Sequence, residues 1–262
     1  HLNHMIFTLP IYWQGEIVAF ASSMAHWQDV GGILGGVTRD IYSEGLQLPI
    51  VKIYKKGEQD KELTEIIRTN VRFPSLAMGD FRAQIAAIRT GEKRFLELLG
   101  RYGKETVVDS IQHIYQQSER LARANVATIP DGVYEAESFM DDDGVSIGKH
   151  IEINVRVIVR GEEMTIDLSE VSRQVGGYYN SGATAGRSAA EVAFKCVTSP
   201  LWLPINYGSF LPLTIDLPPG RVISATKPAA TRWWMTIPMT VVDTIFKLSL
   251  IHISEPTRQA EI

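Results

Sequence analysis

The sequence predicts a mixed α+β fold: a β-hairpin region carrying a candidate metal site, then a helical hairpin, then a β-rich half. Three observations carry this prediction. Two apolar, β-prone runs flank Gln14-Gly15, apolar residues recur at helical spacing from about Gly79 to Asn125, and beyond Ile129-Pro130-Asp131-Gly132 the pattern alternates with period two.

The hairpin comes first. Met5 to Trp13 holds Ile6, Phe7, Thr8, Ile11, Tyr12 and Trp13, and Glu16 to Ser22 is the second run. Gln14-Gly15 suits a two-residue turn. Regular pairing about that turn sets His26 opposite Asn3, between His1 and His4. Neighbouring strands lie about 4.8 Å apart, so three imidazoles can converge at the open end of the ribbon. His1 and His4 point to opposite faces of an ideal strand, so this convergence requires an irregular entry to the first strand. Asp29 adds a carboxylate at the same end. Neutral imidazoles with a carboxylate suit zinc, manganese or iron. Against this, single histidines are common in packed or exposed positions. Gly31-Gly32 and Gly35-Gly36 follow, either lining a cavity with backbone amides or making tight turns only.

Ile50 to Tyr54 reads as a short strand, Lys55 to Glu58 as a solvated turn, and Glu62 to Asn70 as a helix. In the helical hairpin Asp80 is the expected N-cap. Gly91 marks a kink or close contact, and Gly100 and Gly103 bracket the turn. Asp80, Arg82 and Gln84 are polar residues on an apolar helix start; they reach toward the metal cleft or simply cap and pair, with the structural role favoured. His113 is read as a surface or packing residue.

Gly132 to Phe139, Ile151 to Arg160 and Met164 to Leu168 read as strands. Asp141-Asp142-Asp143-Gly144 lacks the spacing of an EF-hand and reads as an acidic turn. Thr184 to Cys196 reads as a helix, and a Pro-rich stretch from Trp202 leads to a strand at Leu213 to Leu217. Arg232 either holds an anionic substrate group or stacks on Trp233. The expected division is 1–70, the metal-site β region; 71–128, the helical hairpin; 129–247, the β-rich region; and 248–262, a tail.

That tail, beginning Leu248-Ser249-Leu250-Ile251-His252, looks like an in-frame translation of a sequencing adaptor and is set apart from fold reasoning. The opening directly on His1 likewise reads as a cut end.

The chain has 262 residues, a formal net charge of −4 and ordinary globular composition. No basic stripe points to nucleic acid, and no apolar run reaches membrane-spanning length. The lone Cys196 fits a reducing, cytoplasmic setting.

His1-Leu2-Asn3-His4, Gly15-Glu16-Ile17-Val18-Ala19-Phe20 and His26-Trp27-Gln28-Asp29-Val30-Gly31-Gly32 together resemble the hydantoinase B family. Gly79 to Ala87 and Pro228 to Trp234 extend the resemblance, which runs to about Phe246. The family includes subunits of N-methylhydantoinase, 5-oxoprolinase, caprolactamase, and the acetone and acetophenone carboxylases. The resemblance makes His1 and His26 metal ligands. The family's usual Asp falls on His4, which changes the charge of the ligand set. A further acidic ligand lies upstream in the family and outside this sequence.

The resemblance further implies a divalent metal, ATP bound by a hydantoinase A-type partner, and a hetero-oligomer. This chain has no Walker A motif, since Gly31-Gly32 and Gly35-Gly36 lack a downstream Gly-Lys-Ser/Thr. The expected ligand residues are His1, His4, His26 and Asp29, with Gly31, Gly32 and Arg232 toward substrate. The expected activity is ATP-dependent opening of a hydantoin, oxoproline or lactam. Carboxylation of a ketone and a silent structural role are the alternatives.

Overall fold

In a computed structural model, residues 1–198 and 204–248 are described. The chain forms two compact units. The first is His1–Gly36 with Ile41–Ser110, and the second is Val37–Asp40 with the chain from Ile111 on.

The first unit is built on β1 (His4–Trp13) and β2 (Glu16–His26), an antiparallel ribbon. Gln14 and Gly15 both take positive φ, 51° and 89°, as a tight I′-like hairpin turn demands. Next to the turn, Trp13 faces Glu16 and Tyr12 faces Ile17. A bulge then intervenes, and Ile11 faces Ala19. The extra residue, Val18, moves every later pair by one, so His26 stands opposite His4 instead of the expected Asn3. The β2 strand also runs on past Ser22, as far as His26.

Met5 and Ile11 point into the core, whereas Ile6, Phe20 and Met24 are exposed on the other face. A short pair, β3 (Tyr54–Lys55) and β4 (Glu58–Gln59), is all that forms where a longer strand from Ile50 was expected. Val51 and Ile50 are exposed, so no apolar face there rewards strand formation.

Helix α1 (Lys61–Asn70) starts at Asp60, whose carboxylate accepts from the Leu63 amide at 3.0 Å. Helix α2 runs Pro74–Tyr102 and begins a turn and a half before Asp80. Pro74 at its first turn needs no amide partner and starts the helix, so Asp80 lies inside it. Gly103, at φ 82°, ends α2 and donates to the Leu99 carbonyl at 2.9 Å. The inner face of the ribbon packs on α2. Phe7 and Phe81 meet edge to face at 5.1 Å, and a Cβ at Gly91 would lie 3.4 Å from that of Ala21. Gly91 is therefore a close-contact residue, and small side chains on β2 let the helix approach.

Helix α3 (Lys104–Val126) runs from the first unit into the second. The second unit is a sheet in the order β5 (Gly132–Met140), β6 (Ile151–Arg160), β7 (Glu163–Asp167), β8 (Leu213–Asp216), antiparallel except for the parallel β7–β8 pair. Ile151, Ile153, Val155, Val157 and Val159 alternate into the core. Fully burying such a side chain contributes about 1.5–3 kcal/mol.

Helix α4 (Ala183–Thr198) and α5 (Thr236–Leu248) cover this face through Phe194, Ile237, Val241, Ile245 and Leu248. Helix α5 lies where the sequence predicts only a β-rich region. Ile237, Val241, Ile245 and Leu248 recur at helical spacing with Thr240, Asp243 and Lys247 on the other face, but Pro238 in the first turn reads locally as a break. Leu248, assigned above to the tail, is the last buried residue of α5. The rest of that tail, and Trp202, lie outside the described residues.

The acidic turn after β5 is a backbone clamp. Asp143 accepts from the amides of Val145, Ser146 and Gly177 at 2.8, 2.6 and 3.0 Å. Burial works to raise its carboxyl, but these amides outweigh burial and hold it below the usual range. Asp142 takes the amides of Gly144 and Gly148. Among the described residues, no helix is long and apolar enough to cross a membrane.

Candidate metal centre

Three imidazoles meet at the open end of the β1–β2 ribbon. His4 and His26 are cross-strand partners, so both side chains leave the same face. His1 joins them because the chain enters β1 through a turn. The His4 amide donates to the His1 carbonyl at 3.4 Å and the Met5 amide to the Asn3 carbonyl at 3.1 Å. This is the irregular entry that convergence requires.

The ring centroids form a near-equilateral triangle: His1–His4 5.2 Å, His1–His26 5.0 Å and His4–His26 5.2 Å. His1 and His26 stack with 24° between planes, and His4 stands edge-on to both. Nε2 of His1 and Nε2 of His26 share a hydrogen bond at 3.0 Å, one donating and the other accepting. Burial first, and the charge of His26 second, hold His4 below the usual imidazole range and favour its neutral form. Neutral imidazole is the form that ligates metal.

As built, this is a hydrogen-bonded cluster. Among the described residues, no three His, Cys, Asp or Glu side chains are already set as a metal cage. Two ligands about 2.0–2.1 Å from a tetrahedral ion stand roughly 3.3 Å apart, slightly wider than the His1–His26 contact. The donor set fits a divalent transition ion in kind. Its spacing needs the shared hydrogen bond to open.

The strand ends beneath the rings are held from several sides. Asn3 and Trp27 close one further rung: the Trp27 amide donates to the Asn3 carbonyl at 2.8 Å, and Asn3 Nδ2 donates to the Trp27 carbonyl at 2.7 Å. Trp27 is fully buried. Its indole Nε1 donates to Gln84 Oε1 at 2.9 Å, and Gln84 Nε2 donates to the carbonyls of Met5 and Ser23 at 2.8 and 3.0 Å. Gln84 therefore pairs with the ribbon, the structural role favoured from the sequence.

Asp29 is engaged elsewhere. One oxygen accepts from the Gly31 and Arg72 amides at 3.1 and 2.7 Å, and the other from the Arg72 guanidinium at 2.7 Å. Burial works to raise its carboxyl, and these three donors overcome it. The second guanidinium nitrogen of Arg72 donates to the Gly32 carbonyl. Arg72 carried no signal in the sequence, because it sits in a short connection with no periodic neighbours.

Gly31 and Gly32 have positive φ, 87° and 78°. A Cβ would lie 2.6 Å from the Asn70 carbonyl oxygen at Gly31 and 2.5 Å from the Glu44 carbonyl carbon at Gly32. Both are glycine because backbone passes directly over them. Arg232 belongs to the second unit and is half-buried beside the exposed Trp233.

The family model for hydantoinase B/oxoprolinase matches residues 1–255. Caprolactamase subunit beta of Pseudomonas jessenii is 31% identical over 247 residues, covering 92% of this chain and 42% of the relative. The crystal structure of ATP-dependent caprolactamase from the same organism superposes with a TM-score of 0.89 at 29% identity, over 97% of this chain and 44% of that one. A nucleotide-free acetone carboxylase structure superposes with a TM-score of 0.78 at 17% identity, over 92% of this chain and 33% of that one, a likeness of fold. The chain thus spans less than half the length of these relatives. On the family match and the caprolactamase likeness, it belongs to the hydantoinase B/oxoprolinase family.

Proposed function

We propose that this chain is part of the B-type subunit of an ATP-dependent cyclic-amide hydrolase, opening a hydantoin, 5-oxoproline or related lactam. The observation that carries the reading is the convergence of His1, His4 and His26 on one face of the ribbon. These side chains would hold a divalent zinc, manganese or iron ion, which would supply Lewis acidity toward a carbonyl oxygen. Asp29 serves this site by fixing the backbone after His26, since its oxygens are committed to Arg72 and Gly31.

ATP in this reading is bound by a hydantoinase A-type partner, which activates the poorly electrophilic ring before the B-type subunit acts on it. Support comes from the likeness to caprolactamase subunit beta and to the ATP-dependent caprolactamase of Pseudomonas jessenii. The setting is the cytoplasm, consistent with a single, exposed Cys196.

The test is substrate-dependent ATP hydrolysis by the complex with its A-type partner. Lactams and hydantoins are expected to stimulate it, and His26→Ala to abolish the stimulation. Stimulation by ketones with bicarbonate, and not by lactams, would assign the complex to carboxylation. No stimulation by either, with the partner bound, would leave a structural subunit.

A further inference from the structure

We infer that Gln84 is a positioning residue for the imidazole cluster, a role that rests on the metal reading above. Gln84 comes from α2, not from the ribbon, and is 3% exposed. Its one planar amide ties together both strand ends that carry the histidines. It donates to the carbonyl of Met5, the residue after His4, and accepts from the indole of Trp27, the residue after His26. Its remaining donor goes to the Ser23 carbonyl on β2.

The demand is chemically narrow. The site asks one side chain for two donors and an acceptor in a plane. Glutamate has no donor, lysine has no acceptor, and methionine has the shape but no donor and only a weak acceptor. Each of these partners is a buried or backbone polar group that loses its bond if the amide goes. The Asn3–Trp27 rung fixes the two strands to each other. Gln84 fixes that pair to the helix. The seating of the histidine-bearing strand ends on α2 therefore depends on a residue whose hydrogen bonds go to Met5, Ser23 and Trp27, and ligand sets tolerate only about 0.5 Å of misplacement.

The test is a Co2+ titration of the chain followed by visible absorption, with Zn2+ competition for affinity. Gln84→Met is expected to bind Co2+ about 10–100-fold more weakly, the range for losing a group that orients ligands, with a shifted ligand-field spectrum. Trp27→Phe, which removes the indole N–H together with part of the buried ring, is expected to shift the spectrum in the same direction by less. Ile88→Ala, a core truncation elsewhere on α2, is expected to lower stability but not affinity. Parent-like affinity in Gln84→Met, or equal weakening in Ile88→Ala, would overturn the role. If Gln84→Met does not fold, an unchanged spectrum in Trp27→Phe overturns it. A parent chain that takes up no Co2+ rejects the three-imidazole reading itself, and this role with it.

Discussion

His4 and His26 face each other across the ribbon because Val18 is one residue too many for a regular ladder. The bulge lies near the turn, far from the histidines, yet it decides which residue His26 meets. Without it the partner is Asn3, and the imidazole pair is lost.

The turn itself carries strain that is open to test. Gln14 holds φ at 51°, in the left-handed region, where side chains other than Gly, Asn and Asp are costly. Gln14→Asn is expected to raise stability by about 0.5–1 kcal/mol, recovering part of that cost. Thermal unfolding of the two chains checks it. An unchanged or lower Tm would argue against the strain.

The Arg72–Asp29 pair is partly buried and doubly bonded, through the backbone amide and the guanidinium of Arg72, so it is worth more than an exposed ion pair. Arg72→Ala is expected to cost about 1–3 kcal/mol, because it removes the guanidinium donor from a carboxylate that stays partly buried and from the Gly32 carbonyl, while the residue-72 amide remains. Hydrogen exchange is expected to speed at Gly31 and Gly32. Equal exchange rates and equal Tm would show the clamp to be idle.

Asp143 sets a pH dependence whose sign follows from its lowered carboxyl. The native state binds fewer protons than the unfolded chain between the native value and about 3.9. Its stabilisation is thus complete above the unfolded value and is lost as pH falls through the native one. Asp143→Asn is expected to be less stable near neutrality by about 1–3 kcal/mol, with the gap closing on acidification below about pH 4. A gap independent of pH would contradict the clamp. The same loop forbids a side chain at residue 177, where a Cβ would collide with the Asp143 carbonyl oxygen. Gly177→Ala is expected to destabilise the second unit, read as loss of cooperative unfolding.

Much of this was legible in the sequence. The strands of the sheet alternate so regularly that Ile151–Arg160 was bounded from pattern alone. The hairpin, the helix pair and the family likeness were equally visible, and so was the meeting of His1, His4 and His26. What stayed hidden has physical causes. The bulge at Val18 leaves no mark, because Ile17, Val18 and Ala19 are all plausible strand residues. Helix α5 buries Ile237, Val241, Ile245 and Leu248 at helical spacing, but Pro238 in its first turn reads locally as a break. The commitment of Asp29 to Arg72 is a contact across 43 residues, beyond any local pattern.

The most direct test of the account is metal stoichiometry. The purified chain, equilibrated with Zn2+ or Mn2+ and dialysed, is expected to retain one ion per chain by elemental analysis, and His26→Ala to retain none while staying folded. Equal metal in the two chains, or none in either, would contradict the three-imidazole site.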